Sequence, residues 1–595
     1  MSTTVADFLV ERLVAWGTHR IFGLPGDSIN AILGAVHRAE AHVEFVQARH
    51  EELAALMACA HAKFTDEVGV CLATSGPGAI HLLNGLYDAA LDNQPVVALV
   101  GQVARMSIGS GYQQEVDLVS LFKDVAHRYV TLITDPTQVR HAVDQAFRIA
   151  RAERCVTCLV IPKDVQDLEA VPHPPRTHGT TFSGIGYRAP RSVPEPDDLQ
   201  RAADVLNAGQ RVAMLVGAGA LGAPDEVHEV AEVLGAGVAK ALLGKAVLPD
   251  DLPWVTGAIG LIGTRPSWEL MQQCDTLLMV GSNFPYAECL PEEGRARGVQ
   301  IDVAGRHLGL RYPMEVLLQG DAGATLRALI PLLKPKGERE WRAQVERNVA
   351  EWWREMERRA HEPADPLNPE LVCWELSKRL PDGAIITGDS GTSAAWIARI
   401  IRMRRGMSMS LSGGLATMGS AVPYAVAAKL AHPDRPVVAI AGDGAMQMNG
   451  LNALITASKF RERWSDPRFI VLVLDNRDLS FVSWEQRMME GEPRFPTSQE
   501  LPDFPYGRYG ELIGFEGLVV TRPEGLPRAL DRAFSATGPV LLEARVDPAV
   551  PILPPHVTEE QVRHFREALA HGDPDAAAVL RQIHREDEAV AQRIE

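Results

Sequence analysis

The sequence predicts an α/β protein: several domains built on parallel sheets, followed by a helical end. Three observations carry this reading. Short apolar runs alternate with helix-length segments; 436–441 and 469–474, for instance, frame one helix, the pattern of a βαβ unit in a parallel sheet. Glycine and proline number 50 and 40 in 595 residues, as many strand-helix turns require. That length corresponds to about three to four domains, and a hydrophobic content of 46% supplies their cores.

Along the chain, Val5, Leu9, Leu13 and Trp16 recur at helical spacing, so the start reads as an amphipathic helix rather than a signal peptide. Residues up to about 180 alternate strand and helix patterns and form a first domain, 1–180. Cys155 and Cys158 match a C-x-x-C pattern but lie in a strand, where residues three apart point to opposite faces and cannot converge on one metal. The seven cysteines read as core residues. A proline-rich stretch, 171–196, is an extended linker. A second α/β domain follows at 195–335, then a charged surface helix with Trp341, Trp352 and Trp353 partly packed. The turn 362–369 opens a third α/β domain, 365–550. The end, 551–595, reads as a helical tail of two helices, 558–570 and a second running to Glu595.

The net charge of −17 argues against a nucleic-acid-binding surface, and no apolar run reaches membrane-spanning length. These features predict a soluble cytoplasmic protein. The stripes of the tail are interrupted by acidic residues and lack a basic face, so at most weak peripheral membrane contact is expected.

Gly442-Asp443-Gly444 ends the first apolar run and Asn476 ends the second, both where ligands bind in open α/β sheets. An aspartate and an asparagine carbonyl are hard oxygen ligands suited to Mg²⁺, and the glycines let backbone amides approach an anion closely. Alone, such residues also serve as a tight turn and a cap. Glu51, in 49–58, is by itself a carboxylate in a helix's first turn, where the dipole favours it.

Together, and in this order with the segment 74–89, these motifs resemble the thiamine-diphosphate enzymes of the acetolactate synthase and pyruvate oxidase superfamily, along essentially the whole chain. The resemblance implies three doubly wound parallel-sheet domains, which bind in turn the cofactor pyrimidine, a nucleotide and the cofactor diphosphate. It implies that Glu51 activates the pyrimidine, beside Pro25, Thr74, His81 and Asn84. Asp443, Asn476 and the backbone carbonyl of Asp478 would hold Mg²⁺, with Asp389, Ser390, Gly391, Gly442, Gly444 and Ala445 near the diphosphate. Met418, in the stretch that contains Ala416, would wedge thiazolium against pyrimidine. One departure is Asp475, where the family usually has an asparagine.

In the middle domain, Gly217 and Gly219, then Gly263-Thr264-Arg265, Asn283, Asp302, Asp321 and Ala322 follow an order similar to the FAD-binding domain of pyruvate oxidases and pyruvate:quinone dehydrogenases. A lone G-x-G is explained as well by a plain turn. The stretch 303–307 departs from the Asp-Pro common in relatives. Gln113, in the loop 111–115, and Phe481, Val482 and Glu485 match residues that line flavin and substrate in pyruvate oxidases; these last three also share one face of a helix. The implied activity is oxidative decarboxylation of a 2-oxo acid, most plausibly pyruvate, with electrons passed to FAD and then to O₂ or a quinone. The implied assembly is a homotetramer with active sites at dimer interfaces. The alternative is a non-oxidative decarboxylase or carboligase of acetolactate synthase type, with a structural flavin or none. A third reading, a regulatory relative that only binds nucleotides, is disfavoured by the joint retention of Glu51, Asp443 and Asn476.

Overall fold

Runs that are apolar on both faces become interior strands, because only a sheet covered by helices on each side buries every side chain of such a run. The seven residues of Val96–Gln102 and the seven of Phe469–Asp475 are all buried. The computed structural model describes residues 3–337 and 339–594. It contains three six-stranded parallel sheets flanked by helices.

The first sheet comprises β1 (Arg20–Gly23), β2 (Glu44–Gln47), β3 (Gly69–Ala73), β4 (Val96–Gln102), β5 (Val130–Leu132) and β6 (Val156–Pro162), in the order β2-β1-β3-β4-β6-β5. The second comprises β7 (Val212–Val216), β8 (Gly237–Lys240), β9 (Val255–Ala258), β10 (Thr276–Val280), β11 (Arg297–Asp302) and β12 (Val316–Gln319), in the order β12-β11-β10-β7-β8-β9. The third comprises β13 (Ile385–Gly388), β14 (Ser408–Ser410), β15 (Val437–Gly442), β16 (Phe469–Asp475), β17 (Glu516–Val520) and β18 (Val540–Arg545), in the order β14-β13-β15-β16-β18-β17.

The first and third sheets therefore share one topology, while the second has the 3-2-1-4-5-6 order of dinucleotide-binding domains. In each sheet the strand order reverses at the first strand, leaving a crevice beyond the carboxyl ends of two adjacent strands. The flanking loops are 24–28 and 74–78 in the first sheet, 217–221 and 281–285 in the second, and 389–391 and 442–445 in the third.

By its contacts the chain forms two compact units. One is the chain up to Ala189 with Ser410–Ala439 and Ala445–Phe469; the other is Pro190–Met409, Ile440–Gly444 and the chain from Ile470 onward. In the first, the helix Ala421–Ala431 packs along the helix Glu51–Thr65. In the second, Val345 and Val349 of the long helix Glu340–Ala360 join the core of the second sheet.

The first helix, Val5–Ala15, begins with a Thr4 capping box, and Trp16 is its C-cap, donating to Asp144 at 2.8 Å. Trp352 is buried, with Trp341 and Trp353 half-buried, as the charged-helix reading expects. All seven cysteines are free, and Cys158 lies in the interior of β6. The tail differs from the expected pair of helices: the second is broken into Ala576–Glu586 and Glu588–Ile594. Asp587 is extended (φ −148°, ψ 94°), and its carboxylate accepts from the Val590 amide at 3.1 Å, so it ends one helix and caps the next.

Candidate active site

Glu51 is the first residue of the helix Glu51–Thr65 and is 5% exposed. Its Oε2 lies 3.0 Å from Nδ1 of His81. The His81 ring stacks on that of His50 with centroids 4.4 Å apart, and His50 Nδ1 accepts from the Glu52 amide as the helix cap. His50, Glu51 and His81 thus bring three metal-ligating groups together. Imidazole lone pairs lie in the ring plane, however, and two stacked rings cannot aim them at one ion. The arrangement instead holds the Glu51 carboxyl in one orientation.

Around it the first sheet's crevice is tightly built. A Cβ on Gly26 would lie 2.4 Å from Thr74 Cβ, and one on Gly78, in the helix Pro77–His81, would lie 2.8 Å from Thr74 Cγ2 and 3.0 Å from Glu51 Oε1, so both positions favour glycine. Thr74 is 2.8 Å from Ser28 Oγ, which also accepts from the Ser75 amide. Pro25 and Thr74 therefore stand on the two loops that face each other across the switch point. Gln113 lies in an exposed loop tied by the Glu115 carboxylate to the amides of Gly111 and Tyr112 at 2.8 and 3.1 Å. The next residue, Gln114, closes against Gly76.

Sequence reading missed Glu52. Its Oε1 accepts from Asn84 Nδ2 at 2.6 Å and from Asn449 Nδ2 at 2.9 Å, and Asn84 Nδ2 is also 3.0 Å from Thr417 Oγ1. The Asn84 amide is thus engaged with protein, and it ties the loop holding Ala416 and Met418 to the glutamate helix. Ala416 has φ +54°, a strained conformation for a residue with a side chain. Adjacency to Glu51 was the one available signal for Glu52; for Asn449 there was none.

At the third sheet, Asp443 begins a helical turn directly after β15 and is buried. Its Oδ2 accepts from the Asn476 and Arg477 amides at 3.0 and 2.5 Å, and its Oδ1 from the Gly444 amide at 2.9 Å. Burial and the neighbouring Asp475 carboxylate push the Asp443 carboxyl up to about 8. Asp475, also buried, is raised too, chiefly by burial. Asn476 Oδ1 accepts from the Asp478 amide at 3.0 Å while its Nδ2 donates to Ser480, so the oxygen is fixed in place. Arg477 at φ +56° makes the turn between them. Two buried carboxyls whose charged forms are disfavoured, beside an oriented amide oxygen, fit a divalent cation: it would relieve both. Asp389, buried, accepts from the Ser390 amide at 2.9 Å, and Gly391, at φ +98°, opens the helix Thr392–Ile400 with unfilled space where a Cβ would stand. Backbone amides at such a helix start suit a phosphate group.

Beyond Asp478 the short helix Ser480–Glu485 sends Ser483 and Trp484 into the protein. Val482, 44% exposed, and Glu485 are turned away from that core, while Phe481 is half-buried. Partial burial raises the Glu485 carboxyl above the usual range. The tail braces this element: Trp484 stacks on Phe565, and Arg487 forms a buried ion pair with Asp573 at 2.8 Å.

In the second sheet, a Cβ on Gly217 would lie 2.4 Å from the Gly281 carbonyl, and one on Gly219 would lie 2.7 Å from Gly281 Cα. Close packing of the two loops therefore accounts for both glycines without a ligand. A Cβ on Gly263 would likewise meet the Ala258 carbonyl at 2.5 Å. Thr264 caps the helix Arg265–Gln273, with its hydroxyl 2.6 Å from the Thr256 carbonyl, so it faces inward. Arg265 is half-exposed near Glu269 at 3.8 Å, leaving its guanidinium accessible to an anion. Asn283 accepts from Arg311, Asp302 accepts from the Ala304 amide, and Asp321 caps the helix that begins at Ala322. Burial raises the Asp302 carboxyl.

The models of the thiamine pyrophosphate enzyme family match in three parts: the N-terminal TPP binding domain over residues 3–121, the central domain over 199–329 and the C-terminal TPP binding domain over 389–544. YdaP of Bacillus subtilis, named for containing thiamine pyrophosphate and for no reaction, is 33% identical over 94% of this chain and 95% of its own length. A pyruvate oxidase of Lactiplantibacillus plantarum is 29% identical, over 90% of this chain and 87% of that protein. The large subunit of acetolactate synthase isozyme 2 of Escherichia coli is 32% identical, over 94% and 98%.

Proposed function

Because the chain belongs to the family of thiamine pyrophosphate enzymes, we propose that it decarboxylates a 2-oxo acid, pyruvate first among them, and passes the electrons to FAD and then to O₂ or a quinone. The observation that carries the oxidative reading is the second sheet, whose strand order is that of dinucleotide-binding domains. Fold order alone is an analogy; the half-exposed Arg265 adds chain-specific support. The second reading, a carboligase of acetolactate synthase type, is favoured by the 32% identity to an acetolactate synthase.

Thiamine diphosphate, when bound, supplies the nucleophilic carbon and the sink for the electron pair left by CO₂. In the proposed mechanism the Glu51 carboxyl holds and moves a proton at the aminopyrimidine ring nitrogen, and His81 keeps that carboxyl aimed. Asp443, Asn476 and the Asp478 carbonyl would hold Mg²⁺, and the amides after Gly391 and Gly442 would receive the diphosphate. Met418 would pack against the cofactor's rings. Phe481 and Val482 exclude water from the reacting carbon, and Glu485 handles a proton near the substrate carboxylate. We further propose a homotetramer with active sites at dimer interfaces.

The deciding experiment is anaerobic spectroscopy of the purified protein. The oxidative reading expects flavin absorption bands that bleach on addition of pyruvate. A protein that binds thiamine diphosphate and forms acetolactate, with no bleachable flavin, would establish the second reading instead.

A further inference from the structure

A buried charged cluster outside the motifs lies beneath the stretch that precedes Met418. Lys63, on the last turn of the glutamate helix, has a side chain only 5% exposed. Its Nζ makes three bonds: to Asp92 Oδ2 at 2.5 Å, the Leu411 carbonyl at 2.7 Å and the Tyr424 hydroxyl at 2.8 Å. The Asp92 carboxylate accepts two more from the same stretch, the Gly413 amide at 3.0 Å and the Gly414 amide at 2.6 Å. A Cβ on Gly414 would lie 3.0 Å from Leu91 Cβ, so the backbone is pressed against the helix end. Three residues on, Asn84 bonds Thr417, and Ala416 keeps its left-handed φ.

We propose that Lys63 and Asp92 are positioning residues that hold the loop 411–418, and so set where Met418 presents its side chain. This rests on the proposed function only for what Met418 meets there. An ion pair replaced by apolar groups of similar volume is often as stable as before. The arrangement has a use that a hydrophobic pair would lack: an ammonium that donates to the Leu411 carbonyl and a carboxylate that accepts from two loop amides. Tyr424 completes it by donating to Asp88, four residues before Asp92 and one helical turn away. The Leu411 carbonyl and the Gly413 and Gly414 amides are thereby met from the last turn of the helix Glu51–Thr65 and from Asp92, the C-cap of the helix Leu83–Leu91. The loop is then not free to choose among conformers.

Amide hydrogen exchange read by mass spectrometry tests the clamp in the full chain, with and without thiamine diphosphate and Mg²⁺. In the wild type, Gly413 and Gly414 should be protected like the core of the helix Glu51–Thr65. Exchange at the rate of an open loop would overturn the proposal, whatever any variant does. In Lys63→Met and Asp92→Asn, the peptide 411–418 should exchange at least about tenfold faster while the helices keep their protection. Lys63→Arg, which retains the charge, should restore part of it. For the cofactor, quenched NMR of C2 proton exchange should slow about tenfold in both variants with the dissociation constant little changed. A merely structural role would lower the melting temperature and leave C2 exchange in the folded protein untouched, which would count against positioning. Should the wild type itself fail to accelerate C2 exchange, the proposed function falls, and the clamp is still judged by the amides.

Discussion

A buried carboxyl bonded to one imidazole can share a proton or anchor a charge, and the role proposed for Glu51 requires the former. It lies at a helix start with one oxygen against His81 and the other against the space that Gly78 leaves open. Glu51→Gln should therefore retain thiamine diphosphate and Mg²⁺ binding while slowing C2 proton exchange by at least about a hundredfold, the usual scale of general acid–base assistance. Wild-type exchange in that variant, measured by quenched NMR, would refute the assignment. Asp443→Ala should act on binding instead. It removes an anionic oxygen and leaves Asp475 alone, so the Mg²⁺-dependent affinity for thiamine diphosphate in titration calorimetry should fall by roughly a hundredfold or more. Unchanged affinity, with and without EDTA, would refute it. Both residues were legible in the sequence because each ends or begins a regular element within a short local motif. Lys63, Asp92 and Asn449 were not: their partners are set by helix packing between distant segments, and no spacing along the chain announces that.

At the scale of elements, the strands and the crevices at their carboxyl ends could be read from apolar runs ending in glycine. The reasons for some glycines could not. Gly217 and Gly219 look like ligand-facing residues in sequence, yet they make room for Gly281, itself at φ +58° with Gly219 backbone 2.5 Å from where a Cβ would be. Gly281→Ala combines that clash with an unfavourable φ, and should destabilise by about 2–4 kcal/mol in denaturant unfolding. A change below half a kilocalorie would mean the loops move apart freely.

The tail helix Ala576–Glu586 ends in another feature that only packing reveals. Arg359 lies between Glu370 at 3.1 Å and Glu586 at 2.5 Å, and all three are buried. Burial, with the Glu370 charge added, outweighs Arg359 and Arg399 and pushes Glu586 up to about 8. A carboxyl whose folded value exceeds its ordinary 4.5 favours folding fully below that pH. That contribution is lost as pH rises through about 8. Between pH 5 and pH 8 the melting temperature should decline, and in Glu586→Gln the decline should be shallower by roughly 2–4 °C. Equal slopes in the two proteins would show that Glu586 is ionised throughout.

For the whole molecule, the question is whether the surface offers a membrane anything to hold. Among the described residues no helix is long and apolar enough to cross a bilayer, and a net charge of −17 is repelled by anionic lipid. The tail's apolar stripes are already spent: Val562 and Phe565, Val579 and Ile583, and Val590 and Ile594 are all buried within the protein. The tail is tied to the protein by a buried ion pair between Asp573 and Arg487 and by a hydrogen bond from Arg359 to Glu586. Exposing those stripes would mean breaking both contacts, and the Arg487–Asp573 pair alone costs about 3–5 kcal/mol when one partner is left unpaired. We therefore expect no association with anionic liposomes in flotation, including with pyruvate present, and no difference from a chain truncated after Pro555. Co-flotation that depends on the tail would show that these contacts open under turnover, and would favour a quinone over O₂ as the acceptor.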